Sequence, residues 1–407
     1  MLAPSLGRCA VSTTIPFTAR GVLSSRGARF RSVLPRVSQS PSRRAFSVTT
    51  SVGGETEDHK NNLRPIKRAT ELGRTSRMER VRVWAGMPSD DAVERLSVIC
   101  AHCNAKLTPG QMDYDCDTTK LHPTLREKFK PLTRDAATNA FLLRSSKRPY
   151  LLNLGQAYAC TVLRKWVSLT DANAMLGRGK MFVLSVDHVR DLLAMDDGGP
   201  EKPKNLPQKT KKLLLDVGAG EGEVTETFRK GGEFDVVVAT EASAPMVKRL
   251  RQKKIDVVIE STDVTTVTDA TIAAGVVCAE EFRGFDCVCL LNVLDRCDTP
   301  FMLLNELRAL LNDDGGVLVL AVVVPFRPFV EDGQNHRVPK QKLGLDPNGN
   351  WETGVNAIWE TVLKPCGFAL ERVARVPYIS EGDQKHGAYI LDDAVFVLSK
   401  AKETTSG

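Results

Sequence analysis

Three glycines at alternate positions directly behind an apolar run constrain this chain more than any other feature. Leu213-Leu-Leu-Asp-Val-Gly-Ala-Gly-Glu-Gly-Glu-Val-Thr225 reads as a strand, a glycine turn and a helix start. The unbroken apolar run suits a strand covered on both faces. Gly218, Gly220 and Gly222 allow a sharp turn and leave room for a ligand against the backbone. Glu221, Glu223 and Thr225 then suit the first turn of a helix. An ordinary strand-turn-helix without a ligand would carry a similar pattern, so the remaining strands have to decide.

The spacing narrows the ligand. A dinucleotide fingerprint would read G-x-G-x-x-G, and a phosphate loop would end in Gly-Lys-Ser/Thr; neither is present. Acidic residues around the turn favour a ligand with a cationic amino group and sugar hydroxyls over one rich in phosphate. S-adenosylmethionine is such a ligand.

From Lys212 onward strands and helices alternate, the pattern of a parallel α/β sheet. Strands are expected at residues 213–217, 235–239, 256–259, 285–291, 317–324, 368–376 and 394–399, with helices at 244–253, 300–311 and 351–366. This is a doubly wound, seven-stranded class I methyltransferase (Rossmann-like) sheet closing on a C-terminal strand pair. Ligands in such sheets lie outside the carboxyl ends of the strands, at the switch point beside the first strand. That rule selects Asp216 and the glycines from strand one, Glu241 from strand two, and Asn292 and Asp295 from strand four. Glu241 stands near the offset at which an acid grips ribose hydroxyls. Asn292-Val-Leu-Asp295 replaces the Asn/Asp-Pro-Pro-Tyr/Phe common in enzymes that methylate base amino groups, which argues against that chemistry.

Upstream, residues 114–195 alternate helical and glycine-loop patterns, expected as an N-terminal helical cap with one long helix over 151–169. Its apolar positions Leu154, Ala157, Tyr158, Val162 and Trp166 recur at roughly helical spacing. Residues 51–113 read as a mostly irregular linker with a short helix over 90–99. Cys100-Ala-His-Cys103, with Cys116 and His122 beyond, lacks the clean second pair of a zinc site, so no metal is expected. Residues 1–50 hold arginine and serine without acids, the composition of an organelle transit peptide, and Arg43-Arg-Ala-Phe-Ser47 suggests a mitochondrial cut after Phe46. Endomembrane and cytoplasmic locations are the alternatives. The formal charge of +7 comes from the eight arginines within residues 1–54, so the rest is near neutral and no nucleic-acid partner is expected. No apolar run is long enough for a spanning helix, and the ten scattered cysteines suggest free thiols.

Several stretches are more specific than the fold. Besides 213–225 these are Ala239-Thr-Glu241, Leu291-Asn-Val-Leu-Asp-Arg-Cys-Asp298, Pro325-Phe-Arg-Pro-Phe-Val-Glu331, Pro377-Tyr-Ile-Ser-Glu-Gly-Asp383 and the run from Tyr389 to Leu398. Together they resemble the DREV family, the methyltransferase-like protein 9 group of protein-histidine N-pros methyltransferases, from about Tyr114 to Lys400. The resemblance implies methyl transfer from S-adenosylmethionine to a ring nitrogen of histidine in protein substrates carrying His-x-His with a small middle residue. It also implies that Asp216, Gly218, Gly220, Glu241, Asn292 and Tyr378 contact the cofactor, while Asp295 and Tyr389 face the substrate histidine. Arg327 stands where a histidine is expected, Glu221 where aspartate is common, and 196–211 and 265–283 read as insertions. Glu381, Asp383, Asp392 and Asp393 could form an acidic pocket for the second histidine. A quinone-pathway methyltransferase and a non-catalytic assembly module of the same fold are the competing readings. The chain does not indicate its oligomeric state.

Overall fold

The computed structural model describes residues 98–194, 211–332, 335–383 and 386–402, with Val93 and Leu96. The expected targeting segment, and nearly all of loop 196–211, lie outside the described residues.

Five parallel strands form the centre: β4 (Leu213–Val217), β5 (Val236–Glu241), β6 (Val257–Glu260), β7 (Cys287–Leu291) and β8 (Val317–Val323). The chain steps outward from β4 through β5 to β6, then returns to β4's other side as β7 and β8. The carboxyl ends of β4 and β7 therefore flank the crevice where the winding reverses. After β8 a separate two-stranded hairpin forms from β9 (Val330–Asp332) and β10 (Asn335–Arg337). β12 (Ala388–Lys400) joins antiparallel to β8, and β11 (Phe368–Glu381) pairs antiparallel with β12. All seven expected strands are present in this order.

Alternation within the strands explains why both faces are covered. Leu213, Leu215 and Val217 enter one core layer and Leu214 the other. Val236 and Val238 likewise oppose Val237 and Ala239. Helix α9 (Pro300–Leu310) and helix α10 (Trp351–Ile358) close the first layer through Leu304, Leu307 and Val355. The opposite layer takes Phe228 of α6 (Glu223–Gly232) and Leu250 of α7 (Ala244–Gln252). Helix α8 (Val267–Ala273) occupies the stretch expected to be an insertion.

The N-terminal elements differ from expectation in three ways. First, the sheet is ten-stranded, because β1 (Val98–Cys100), β2 (Lys106–Leu107) and β3 (Met181–Phe182) extend it. β1 runs parallel to the start of β12, and β3 pairs with the end of β11. Residues 98–107 are thus edge strands rather than linker, and Val98 and Ile99 are extended rather than helical. Second, much of 114–195 is a layer of the main body, not a separate cap. α2 (Ala136–Ser146) and α5 (Val186–Leu193) place Phe141, Leu142, Val189 and Leu192 in the second core layer, while α1 (Pro123–Glu127) adds Leu125 to the first. Third, the single helix over 151–169 is two. α3 (Tyr150–Leu163) ends before a turn, and α4 (Leu169–Leu176) restarts at Ser168, whose hydroxyl accepts the Asp171 N–H. A serine cap satisfies a donor the helix start would otherwise leave free.

Candidate active site

The glycine turn leaves β4 where the sequence places it. Gly218 has φ +72°, and a Cβ there would stand 2.6 Å from the Val293 side chain, so both conformation and space require glycine. At Gly220, φ +56°, a Cβ would meet nothing within 4 Å, because this position faces the open cleft. The turn leans on β5: the N–H groups of Gly218 and Ala219 both donate to the Thr240 carbonyl, at 2.9 and 3.0 Å.

Glu241, at the end of β5, holds the turn in place. One carboxylate oxygen accepts the Gly220 N–H and the other the Ser243 N–H, each at 2.8 Å. Each oxygen keeps a lone pair for a further donor, which is what two adjacent ribose hydroxyls require. Asp216 lies beneath, buried, accepting the Thr225 hydroxyl at 2.5 Å. Burial, with Glu241 nearby, pushes its carboxyl up to about 6. The other acids of the turn are neutralised from outside the sheet. Arg249 reaches Glu221 at 2.6 Å, and Lys180 reaches Glu223 at 2.6 Å and Glu221 at 3.7 Å. The acidic character expected of the turn therefore resides in Asp216 and Glu241.

The opposite wall comes from β7. Asn292 adopts φ +57°, a left-handed conformation that asparagine tolerates better than most residues. Its amide donates to Asp393 at 2.7 Å. Asp393 is fully buried on β12, opposite Val323 of β8 and Val376 of β11. Asp295 follows in a single 3₁₀ turn, 4 % exposed, with one oxygen 3.3 Å from Arg296. Burial pushes the carboxyls of Asp295 and Asp393 upward, and the mutual repulsion of the two anions adds to the rise at Asp393. Three buried side-chain oxygens here have no hydrogen-bond partner: Asn292 Oδ1, Asp295 Oδ1 and Asp393 Oδ1. Unpaired buried polar atoms are costly. The Tyr378 hydroxyl meets the Met181 sulfur, and burial raises the phenol further beside the two carboxyls.

One cleft thus gathers Asp216, Gly218, Gly220, Glu241, Asn292 and Tyr378. Asp295 and Tyr389, the two residues expected to face the substrate histidine, do not line this cleft. The Tyr389 hydroxyl donates to Asp383 at 2.8 Å and its ring meets His386 edge-on. The β11–β12 ladder runs past the expected strand ends, so Tyr389 pairs with Ser380 near the hairpin tip. At ~3.3 Å per residue it is roughly 13 Å along the strand from Asp393. The acidic cluster is dispersed as well: Glu381 binds Arg148, Asp392 binds Arg375, and Asp393 binds Asn292. Lys180 carries no mark of a site residue in the sequence, and Asp393 stands out there only as one of the acidic cluster rather than as the partner of Asn292. The run Ala388–Lys400 carries the one acid on β12 with no exposure, but only pairing with β8 shows where it points. Among the described residues, no group of three His, Cys, Asp or Glu side chains could hold a metal ion.

Solved structures similar to this chain include the CurJ carbon methyltransferase, at 20 % identity and TM-score 0.33, covering 66 % of this chain and 65 % of that one. The plantazolicin methyltransferase BpumL matches at 16 % identity and TM-score 0.22 over 28 % and 40 %. The precorrin-6y C5,15-methyltransferase of Geobacter metallireducens matches at 13 % and 0.28 over 48 % and 83 %. The chain spans less than two thirds of the length of the first two. Cleft and sheet order fit S-adenosylmethionine: glycine backbone to lie against and Glu241 for ribose hydroxyls. The sequence matches the family of DREV methyltransferases over residues 113–400, and the chain belongs to that family of S-adenosylmethionine-dependent enzymes.

Proposed function

We propose that the protein methylates the pros nitrogen of histidine in His-x-His segments of other proteins. The observation that carries this reading is the pair of unpartnered acceptors Asn292 Oδ1 and Asp295 Oδ1 beside the cofactor cleft. A neutral imidazole presents one N–H and one lone pair, so an acceptor on the far nitrogen leaves the near one free to attack. Bound S-adenosylmethionine supplies a methyl group on a sulfonium.

The protein's part is placement and charge. Asp295 has Arg296 beside it and Asp393 has none, so Asp295 is the carboxylate that ionises first. As an anion it accepts the far N–H, fixes the tautomer and stabilises the imidazolium formed on methylation, as the aspartate of a catalytic triad does. Asp393, held neutral by burial, orients Asn292. Fixing the ring in line with the methyl contributes several kcal/mol of orientation.

The test is mass spectrometry of His-x-His peptides after incubation with the protein and S-adenosylmethionine, resolving pros from tele methylhistidine. A pros product is expected. Methyl transfer to small quinone-like molecules in a lysate, with none to the peptides, would overturn the assignment.

A further inference from the structure

The segment leading into the cleft carries apolar side chains on its outside. On α3, Leu151 is 78 % exposed, Leu154 44 % and Tyr158 74 %, and Trp166 in the following turn is 73 % exposed. The three on the helix recur at three- and four-residue spacing, the stripe that a helix normally turns toward a core. Among the described side chains of α3 only Cys160 is buried. Of the apolar positions noted in the sequence, Leu154, Tyr158 and Trp166 face solvent, while Ala157 and Val162 are half-buried.

Its border is cationic. From Ala136 to Thr170 the chain has no Asp or Glu. Lys147 stands just before α3 and Arg164 just after it, both exposed. Arg148 is excluded from this border, because it binds Glu381 at 2.8 Å and Gln156 at 2.6 Å. A second copy of the chain would bring like charges together across such a face. An anionic bilayer surface answers both features: leucine and aromatic rings enter the acyl boundary while lysine and arginine meet phosphates. Tryptophan at the rim of the stripe suits the headgroup level.

We propose that α3 and the turn after it dock the protein on an anionic lipid surface. The docking is peripheral: among the described residues no helix is long and apolar enough to cross a membrane. α4 continues directly from this turn and gives Thr170 and Ala174 to the cleft, so docking holds the methyl-donor site close to the lipid surface.

The experiment is co-sedimentation of the whole chain with vesicles of phosphatidylcholine alone, or with about a third phosphatidylserine. Binding is expected to the anionic vesicles only, to weaken with salt, and to shift Trp166 emission to shorter wavelength. The pair Leu151→Glu and Tyr158→Glu should lower vesicle partition at least about tenfold, with circular dichroism and S-adenosylmethionine affinity unchanged. Lys147→Glu with Arg164→Glu should lower it too. Parent-like binding by the Leu151/Tyr158 pair overturns the proposal, since the arginines within residues 1–54 would then account for it. Absence of binding to anionic vesicles overturns it as well. So does a concentration-dependent dimer in light scattering that the same pair abolishes, which would assign the face to a second copy.

Discussion

Asp295 and Glu241 are both strand-end carboxylates, yet their surroundings assign them different work. Glu241 spends one lone pair on each of two backbone N–H groups, so its removal loosens the glycine turn as well as the ribose contact. Glu241→Ala should weaken S-adenosylmethionine binding by ~100-fold or more, since hydrogen bonds to a charged group contribute ~1.5–3 kcal/mol each. Unchanged affinity in calorimetry would remove Glu241 from the cofactor site. Asp295 has an unpaired oxygen and holds no part of the glycine turn. Asp295→Asn should therefore leave cofactor affinity intact and lower turnover by ~10³–10⁴, the scale seen when a tautomer-fixing aspartate is replaced. Because burial raises the Asp295 carboxyl, the acidic limb of kcat/KM should lie above the ordinary carboxylate range and disappear in Asp295→Asn. A limb that persists unchanged in the variant would belong to the substrate imidazole alone.

At the scale of elements, what was legible in the sequence was local and what was not was assembled. The β4 strand, its glycine turn and α6 lie within one stretch, and their spacing sets φ and burial directly. Glu241 could be found from the strand-end rule because β5 is β4's neighbour. Lys180 and Arg249 could not, because their meeting with Glu223 and Glu221 depends on how two distant elements pack. The strand ends around Tyr378 and Tyr389 were not legible for a related reason: the end of a strand is set by its partner, and β11 continues to Glu381. The split of α3 from α4 was in principle readable from Ser168 with Asp171 after it, a capping pattern. Two side chains bind this segment to the site: the Ser243 hydroxyl donates to Asp171 of α4 at 2.6 Å, and Arg249 makes the second link. Arg249 donates to Glu221 at 2.6 Å and to the Ala174 carbonyl at 2.6 Å, fastening α4 to the glycine turn. Arg249→Ala should loosen α4 and raise the dissociation constant for S-adenosylmethionine roughly 5- to 20-fold, about 1–2 kcal/mol for a partly exposed charged pair. The melting temperature should fall by only a few degrees. If affinity did not change, α4 would not be part of the cofactor site.

For the whole molecule, the cleft places several carboxyls where folding opposes their ionisation, and that leaves a signature in the pH dependence of stability. Asp216 is the clearest case, held at about 6 against an unfolded value near 3.8. Its folded value is the higher one, so the native state binds the proton more tightly. The resulting stabilisation is complete below pH ~4 and is lost as pH rises through about 6. Between pH 5 and 7 the loss amounts to roughly 1 kcal/mol from this group, a few degrees in melting temperature for a domain of this size. Asp295 and Asp393 shift in the same direction and steepen the trend. Asp216→Asn can keep the bond to Thr225 and has no charge to desolvate. Melts of the cofactor-free variant should therefore vary less between pH 5 and 7 than the parent, with the curves closest at the acidic end. Parallel curves would mean that Asp216 ionises normally in the fold. The buried carboxyls would then have to be hydrated, and the dry acceptor site on which the methyl-transfer reading rests would lose its physical basis.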